Sequence, residues 1–275
     1  MTVTTEGRPR GAATDAAGAA SGGRLPGAVA AEWTKAWTVR STWWNLLGAA
    51  VLMGLACLQL AIFTVNANEN DDPADDKGVV GAGTIAIGAV DLVQFVLIGL
   101  AMLLITSEYS TGTIRATLQW IPRRGEVLAA KTLVVAVIGG LAGIVLAAAG
   151  SLAALPLLGH WGEFEFPAWL GDVLAVGVYM SVIGVFSLGV GALLRSAVGT
   201  LIVIFLIVLV VPASLQASGI TAMERVADFL PAVAGAAFMR GESDAYPPVL
   251  GLLILAAWAA AALAAGHVAL NRRDA

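Results

Sequence analysis

The side chains that could carry chemistry are few, and their spacing excludes most reactions. No G-x-x-x-x-G-K-S/T loop occurs, so the chain is not expected to hydrolyse ATP itself. There is no H-E-x-x-H pair, and no Ser/Lys/His set or pair of acids suits proteolysis inside a membrane. His160 stands with Glu163 and Glu165 in GHWGEFEFPAW, one imidazole and two carboxylates, which falls short of a zinc site. The run ENDDPADDK gathers Glu69, Asp71, Asp72, Asp75 and Asp76, and clustered oxygens are what calcium takes. Pro73 interrupts that run and EF-hand spacing is absent, so a solvated loop is expected. Cys57, the single cysteine, sits in an apolar run and reads as a packed thiol. No metal and no cofactor is therefore expected on this chain. Asp91 and Gln94 differ from these, because they fall one turn apart on one face of an apolar run. An ionisable residue in a membrane span is a functional candidate by default. Asp91 lies towards the expected outer end of its span, which leaves two roles open: a hydrated vestibule position, or a contact on a translocation path.

The most informative stretch is TSEYSTGTIRATLQWIPRRGEVLAAK, Thr106 to Lys131, a polar and basic interruption between two apolar runs. Glu108 and Tyr109 close the preceding helix, and Gly112 lets the chain turn. Thr113 caps a short helix in which Ile114, Leu118 and Ile121 fall at i, i+4 and i+7 on one face. Arg115 and Gln119 point elsewhere, and Pro122 stops the helix. Arg123 and Arg124 follow, then a new start at Gly125–Glu126, and Lys131 where the next apolar run begins. A short amphipathic helix held at the ends of two membrane helices can be pushed from below, which is the form of a mechanical coupling element. The same residues also suit a loop that fixes topology and rests its apolar face on lipid.

EY-x-x-G-T-I-R-x-T-L, then P-R-R, then A-K, closely resembles the first cytoplasmic loop of permease subunits in the type-2 exporter family of ABC transporters. The resemblance implies that the loop forms a coupling helix seated in a groove of a separate ATPase subunit, which would hold the ATP and magnesium. It assigns Glu108, Gly112, Thr113, Ile114, Arg115, Leu118, Ile121, Pro122, Arg123, Arg124 and Lys131 to that coupling region. Ser110 departs from the pattern, standing where a basic residue is often found. AEWTKAWTVRSTWW, FLPAVAGAAF and the terminal ALNRRDA are similar to the first segment, the re-entrant outer segment and the ending of these permeases. A second permease copy, of this chain or another, is implied as partner, along with the lipid bilayer. Nucleic acid is not.

Composition dictates the elements that must position these residues. Of the 275 residues, 59% are hydrophobic and 12% charged, against about 45–50% and ~25% in soluble domains. Six apolar runs, approximately 45–65, 84–105, 132–158, 172–194, 197–217 and 248–270, are each near or above the ~20 residues needed to cross a bilayer. Only helices satisfy the backbone at such lengths, so the predicted fold is an all-α polytopic membrane protein with six transmembrane helices. Residues 1–28 are Gly, Ala, Thr and Ser with scattered Arg, and read as a disordered cytoplasmic tail in place of a signal peptide. Val29, Trp33 and Trp37 then fall at i, i+4 and i+8, with Lys35 and Arg40 on the other flank. That predicts an amphipathic interfacial helix within 29–44, anchored by Trp33, Trp37, Trp43 and Trp44, with Ser41–Thr42 capping the first span. Placing the N-terminus inside leaves only Lys77, Arg225 and Arg240 outside among 15 Lys and Arg. Both termini, including the short tail 271–275, are thus expected in the cytoplasm of a plasma-membrane protein.

Small residues mark expected packing faces. Gly139 and Gly143 form G-x-x-x-G, and Gly177, Gly184 and Gly191 recur every seventh residue. Such faces suit close helix contact within the chain or at a seam between two copies. Pro212 predicts a kink in the fifth span, and residues 214–248 are too apolar for a plain loop, so short helices entering the outer leaflet are expected. The expected function is the permease subunit of an ATP-driven exporter. A membrane immunity or sensor subunit on the same scaffold is the alternative, and a secondary transporter is disfavoured because no inverted repeat is visible.

Overall fold

The computed structural model describes residues 24–70, 73–113, 124–243 and 245–272. The protein is all-α, 88% helical. In chain order its helices are α1 (Arg24–Thr38), α2 (Arg40–Glu69), α3 (Ala82–Thr111), α4 (Arg124–Leu158), α5 (Phe166–Leu194), α6 (Ala197–Gln216), α7 (Thr221–Ala227), α8 (Pro231–Arg240) and α9 (Pro248–Arg272). Six of these, α2 to α6 and α9, are long and apolar enough to cross a membrane.

α1 takes in residues 24–28, expected in the tail, and its break from α2 is a single extended residue. Val39 (φ −84, ψ 122) occupies the N-cap position, and the Thr42 N–H donates to its carbonyl at 3.1 Å. Ser41 and Thr42 therefore lie inside α2 and do not cap it. α3 and α4 overrun the expected spans 84–105 and 132–158 at the ends that flank the 106–131 loop. Polar residues continue α3 because their hydroxyls are satisfied within it: Ser107 donates to Leu103 O at 2.5 Å and Thr111 to Ser107 O at 2.8 Å. Gly112, with φ 71, then ends the helix in the left-handed conformation.

α5 is the central helix. Of its most apolar stretch 72% is buried, against 22% for α6 and for α9, and it packs on α3, α4 and α9. Glycines make those crossings close. A Cβ at Gly139 of α4 would lie 2.9 Å from the Met180 carbonyl oxygen, and one at Gly189 of α5 would lie 2.6 Å from the Ala262 backbone of α9. Gly143, Gly177, Gly184 and Gly191 all meet neighbouring helices of the same chain, so the small-residue faces are taken up by packing within it.

Pro212 acts on α6 through a π turn. It has no N–H for the Val208 carbonyl, and the ladder resets over Leu206–Val210, with the Val211 N–H reaching back to Leu206 O. The 214–248 segment folds as expected into the short helices α7 and α8. α8 is wedged into the bundle, because Gly235 stands directly against the Tyr179 ring of α5, where no Cβ fits. Trp258 of α9 donates to Phe229 O at 2.9 Å, and the Tyr246 hydroxyl donates to Asp228 O. Burial and the Asp228 carboxylate raise the Tyr246 phenol above its ordinary pKa. At the same end of the bundle the two acidic loops are tied by a parallel bridge, β1 (Val80–Gly81) to β2 (Gly162–Glu163). Asn68 closes the first of them, its Oδ1 accepting from Lys77 N and Gly78 N at 2.6 and 2.9 Å.

Candidate functional site

The 106–131 loop is rooted by a buried ionic cluster. Lys131 lies about two turns along α4 from Arg124 and is 1% exposed. Its ammonium donates to Glu108 Oε1 on α3 at 2.6 Å, to Glu32 Oε2 on α1 at 2.6 Å and to the Leu104 carbonyl at 3.1 Å. All three of its protons are thereby used. Glu108, also 1% exposed, accepts a second ion pair from Lys35 of α1. Two acids and two bases thus compensate each other where α1, α3 and α4 meet. A buried charge persists only with such partners.

α1 is seated for this role by an alanine stripe. Ala28, Glu32 and Ala36, one turn apart, are the buried face of α1, and the helix packs on α4. The tryptophans lie on the flank: Trp33 meets Trp37 edge-on at 5.7 Å, Trp37 meets Trp43 at 5.2 Å, and Trp43 Nε1 donates to Trp37 O. Trp44 is 71% exposed and stands apart. A second tie closes the same end of the bundle. Arg195, in the left-handed turn after α5 (φ 56), lays its guanidinium over the Tyr109 ring at 5.0 Å and donates to Ala269 O of α9 at 2.9 Å.

Of the residues expected in the coupling region, Glu108 and Lys131 are internal and hold the loop's roots; they present nothing to a partner. Gly112 makes the predicted turn, Thr113 follows it with its hydroxyl 2.9 Å from that of Thr111, and Arg124 opens α4. Ile114, Arg115, Leu118, Ile121, Pro122 and Arg123 lie outside the described residues.

Asp91 and Gln94 share a cavity at the other end of the bundle, as their spacing predicts. α3 begins at Ala82, so Asp91 lies about nine residues in, ~13 Å along the helix, deeper than the expected span placed it. The cavity, of about 330 Å³, is lined by these two residues, by α6 around Pro212 and by α8 through Arg240. Asp91 is exposed to it, whereas Gln94 is buried and accepts a 2.5 Å hydrogen bond from Tyr179.

Glu32, Tyr179 and Arg240 are the functional candidates that sequence reasoning missed. Glu32 had a readable signal, an acid midway between two alanines at helical spacing. Tyr179 and Arg240 had none, since only the packing of α5 on α3 and the insertion of α8 bring them to Gln94 and Asp91. A scan against protein-family models finds no match to the chain, and a search of curated proteins finds none either.

Proposed function

We propose that the chain is the membrane-spanning permease subunit of an ATP-driven exporter, coupled through its 106–131 loop to a separate ATPase subunit that binds ATP and magnesium. Both termini and this loop are cytoplasmic in this reading, and two permease copies, alike or different, work together in the plasma membrane. The observation that carries it is the ionic cluster. A loop that merely connects two spans does not require its two roots to be locked to each other and to an interfacial helix. A loop that receives a push does, because a lever with slack roots passes no displacement on. The resemblance of EY-x-x-G-T-I-R to permease loops supports an ATPase subunit as what pushes, and the i, i+4, i+7 spacing of Ile114, Leu118 and Ile121 supports an apolar face for it to grip.

Leu118→Ala tests the proposal. Truncating a fully buried aliphatic contact costs roughly 2–5 kcal/mol, less at a partly wet interface. The variant should insert normally yet lose pull-down of a candidate ATPase partner, or leave that partner's hydrolysis uncoupled from transport. Gln119→Ala, on the opposite flank, should do much less. Equal association and equal transport for the two variants would refute the coupling role.

A further inference from the structure

We propose that the cavity between α3, α6 and α8 binds an amphipathic organic cation. Its two walls differ in kind. α6 contributes Val208, Leu209, Pro212 and Ala213, with Gln216 the one polar side chain at its end; the helix carries no charge along the whole of Ala197–Gln216, and the π turn before Pro212 sets this face. Opposite stands Asp91 of α3, with the buried Gln94 one turn deeper. Beyond Arg240, Glu242 and Ser243 a second hollow of about 410 Å³ continues to Asp172 of α5. Among the described residues that line both hollows, three carboxylates, Asp91, Asp172 and Glu242, face a single guanidinium, Arg240. The excess is negative.

The apolar wall decides the kind of cation. A small hydrated ion would lose water against α6 and gain nothing in return. Among the described residues no three of His, Cys, Asp and Glu converge as a metal site, so the carboxylates are dispersed along the hollow. Dispersed negative charge beside an apolar face suits a bulky molecule whose hydrocarbon covers the wall while its positive group faces Asp91. Arg240 lines the same cavity, and its positive charge opposes the entry of a cationic group. The proposal deepens the transport reading by naming the class of cargo, and rests on it only for the step from bound ligand to exported one.

Tetraphenylphosphonium and tetraphenylborate, equal in shape and opposite in charge, test this by equilibrium dialysis against the purified full chain in detergent. The phosphonium should bind saturably and the borate should not. Asp91→Asn should weaken phosphonium binding about tenfold, the worth of ~1.4 kcal/mol, and Glu242→Gln should weaken it less. Arg240→Gln should tighten it, a gain that no folding defect can imitate. Equal binding of the two probes, an unchanged affinity in Asp91→Asn, or weaker binding in Arg240→Gln overturns the proposal. Failure here leaves ATPase pull-down intact, whereas failure of the coupling reading leaves phosphonium binding intact, so the two are told apart.

Discussion

Replacing Lys131 by Met removes the hub of the ionic cluster while keeping the length of the side chain. In the parent its ammonium is 1% exposed and holds Glu32, Glu108 and the Leu104 carbonyl within 2.6 to 3.1 Å. The thioether replaces none of these bonds. Glu108 keeps its pairing with Lys35, but Glu32, at 8% exposure, loses the cation it faces. Breaking a buried pair from one side costs about 3–5 kcal/mol, chiefly because the remaining charge stays desolvated. At ~2–4 °C for each kcal/mol in a chain of this size, Lys131→Met should melt about 6–20 °C below the parent. The assay is thermal unfolding in detergent followed by size-exclusion chromatography of the surviving protein. Adding Glu32→Gln removes the stranded carboxylate, so the double variant should recover part of the loss, with an interaction energy of roughly 0.5–3 kcal/mol in the cycle. A melting point for Lys131→Met within about 2 °C of the parent, or strictly additive effects of the two changes, would refute the cluster as the lock of the loop's roots.

Three further outcomes follow from the packing and the charge pattern. Gly235→Val forces a branched side chain into the Tyr179 ring, and overpacking of about 1–3 kcal/mol should lower the melting point and close the cavity to tetraphenylphosphonium. Tyr179→Phe leaves the buried Gln94 carbonyl without its donor, a cost of about 1–3 kcal/mol, read in the same melting assay without loss of expression. For topology, in a Cys57→Ala background, Asp75→Cys should react with an impermeant thiol reagent only from outside and Thr113→Cys only after the inner face is opened. Labelling of Asp75→Cys from the cytoplasmic face alone would reverse the orientation.

The six spans were legible because a membrane helix is specified by length and apolarity, both local properties. The boundaries were less so where polar residues extend a helix. Ser107, Ser110 and Thr111 look like loop residues, but each returns its hydroxyl to a carbonyl of α3, and the helix runs on to Gly112. Lys131 illustrates a different difficulty. Its position at the head of an apolar run fits a topology-fixing cation, and only the approach of α1, whose Glu32 is 99 residues away in sequence, makes it an internal hub. The kink expected at Pro212 turned into a π turn because α6 had a longer-range partner for its backbone, the Val211 N–H bonding five residues back.

Both candidate regions sit on one helix, and that bears on how they could act together. α3 carries Glu108 near one end and Asp91 towards the other, about seventeen residues or ~25 Å apart. Between them it is buried against α5, whose glycines bring α4 and α9 into backbone contact and leave no slack for local bending. In the proposed coupling, a displacement at the root of the loop would be carried along α3 as a tilt of the whole helix. The compliant side of the cavity is elsewhere. α6 is mostly unburied by this chain and bears a π turn. A rigid α3 moving past a more pliant α6 would open or close the space between Asp91 and the apolar wall without disturbing the ionic cluster. The cluster would transmit motion and the cavity would respond to it. The charge-compensated, fully bonded ammonium of Lys131 suits the first role, and the exposed carboxylate of Asp91 suits the second.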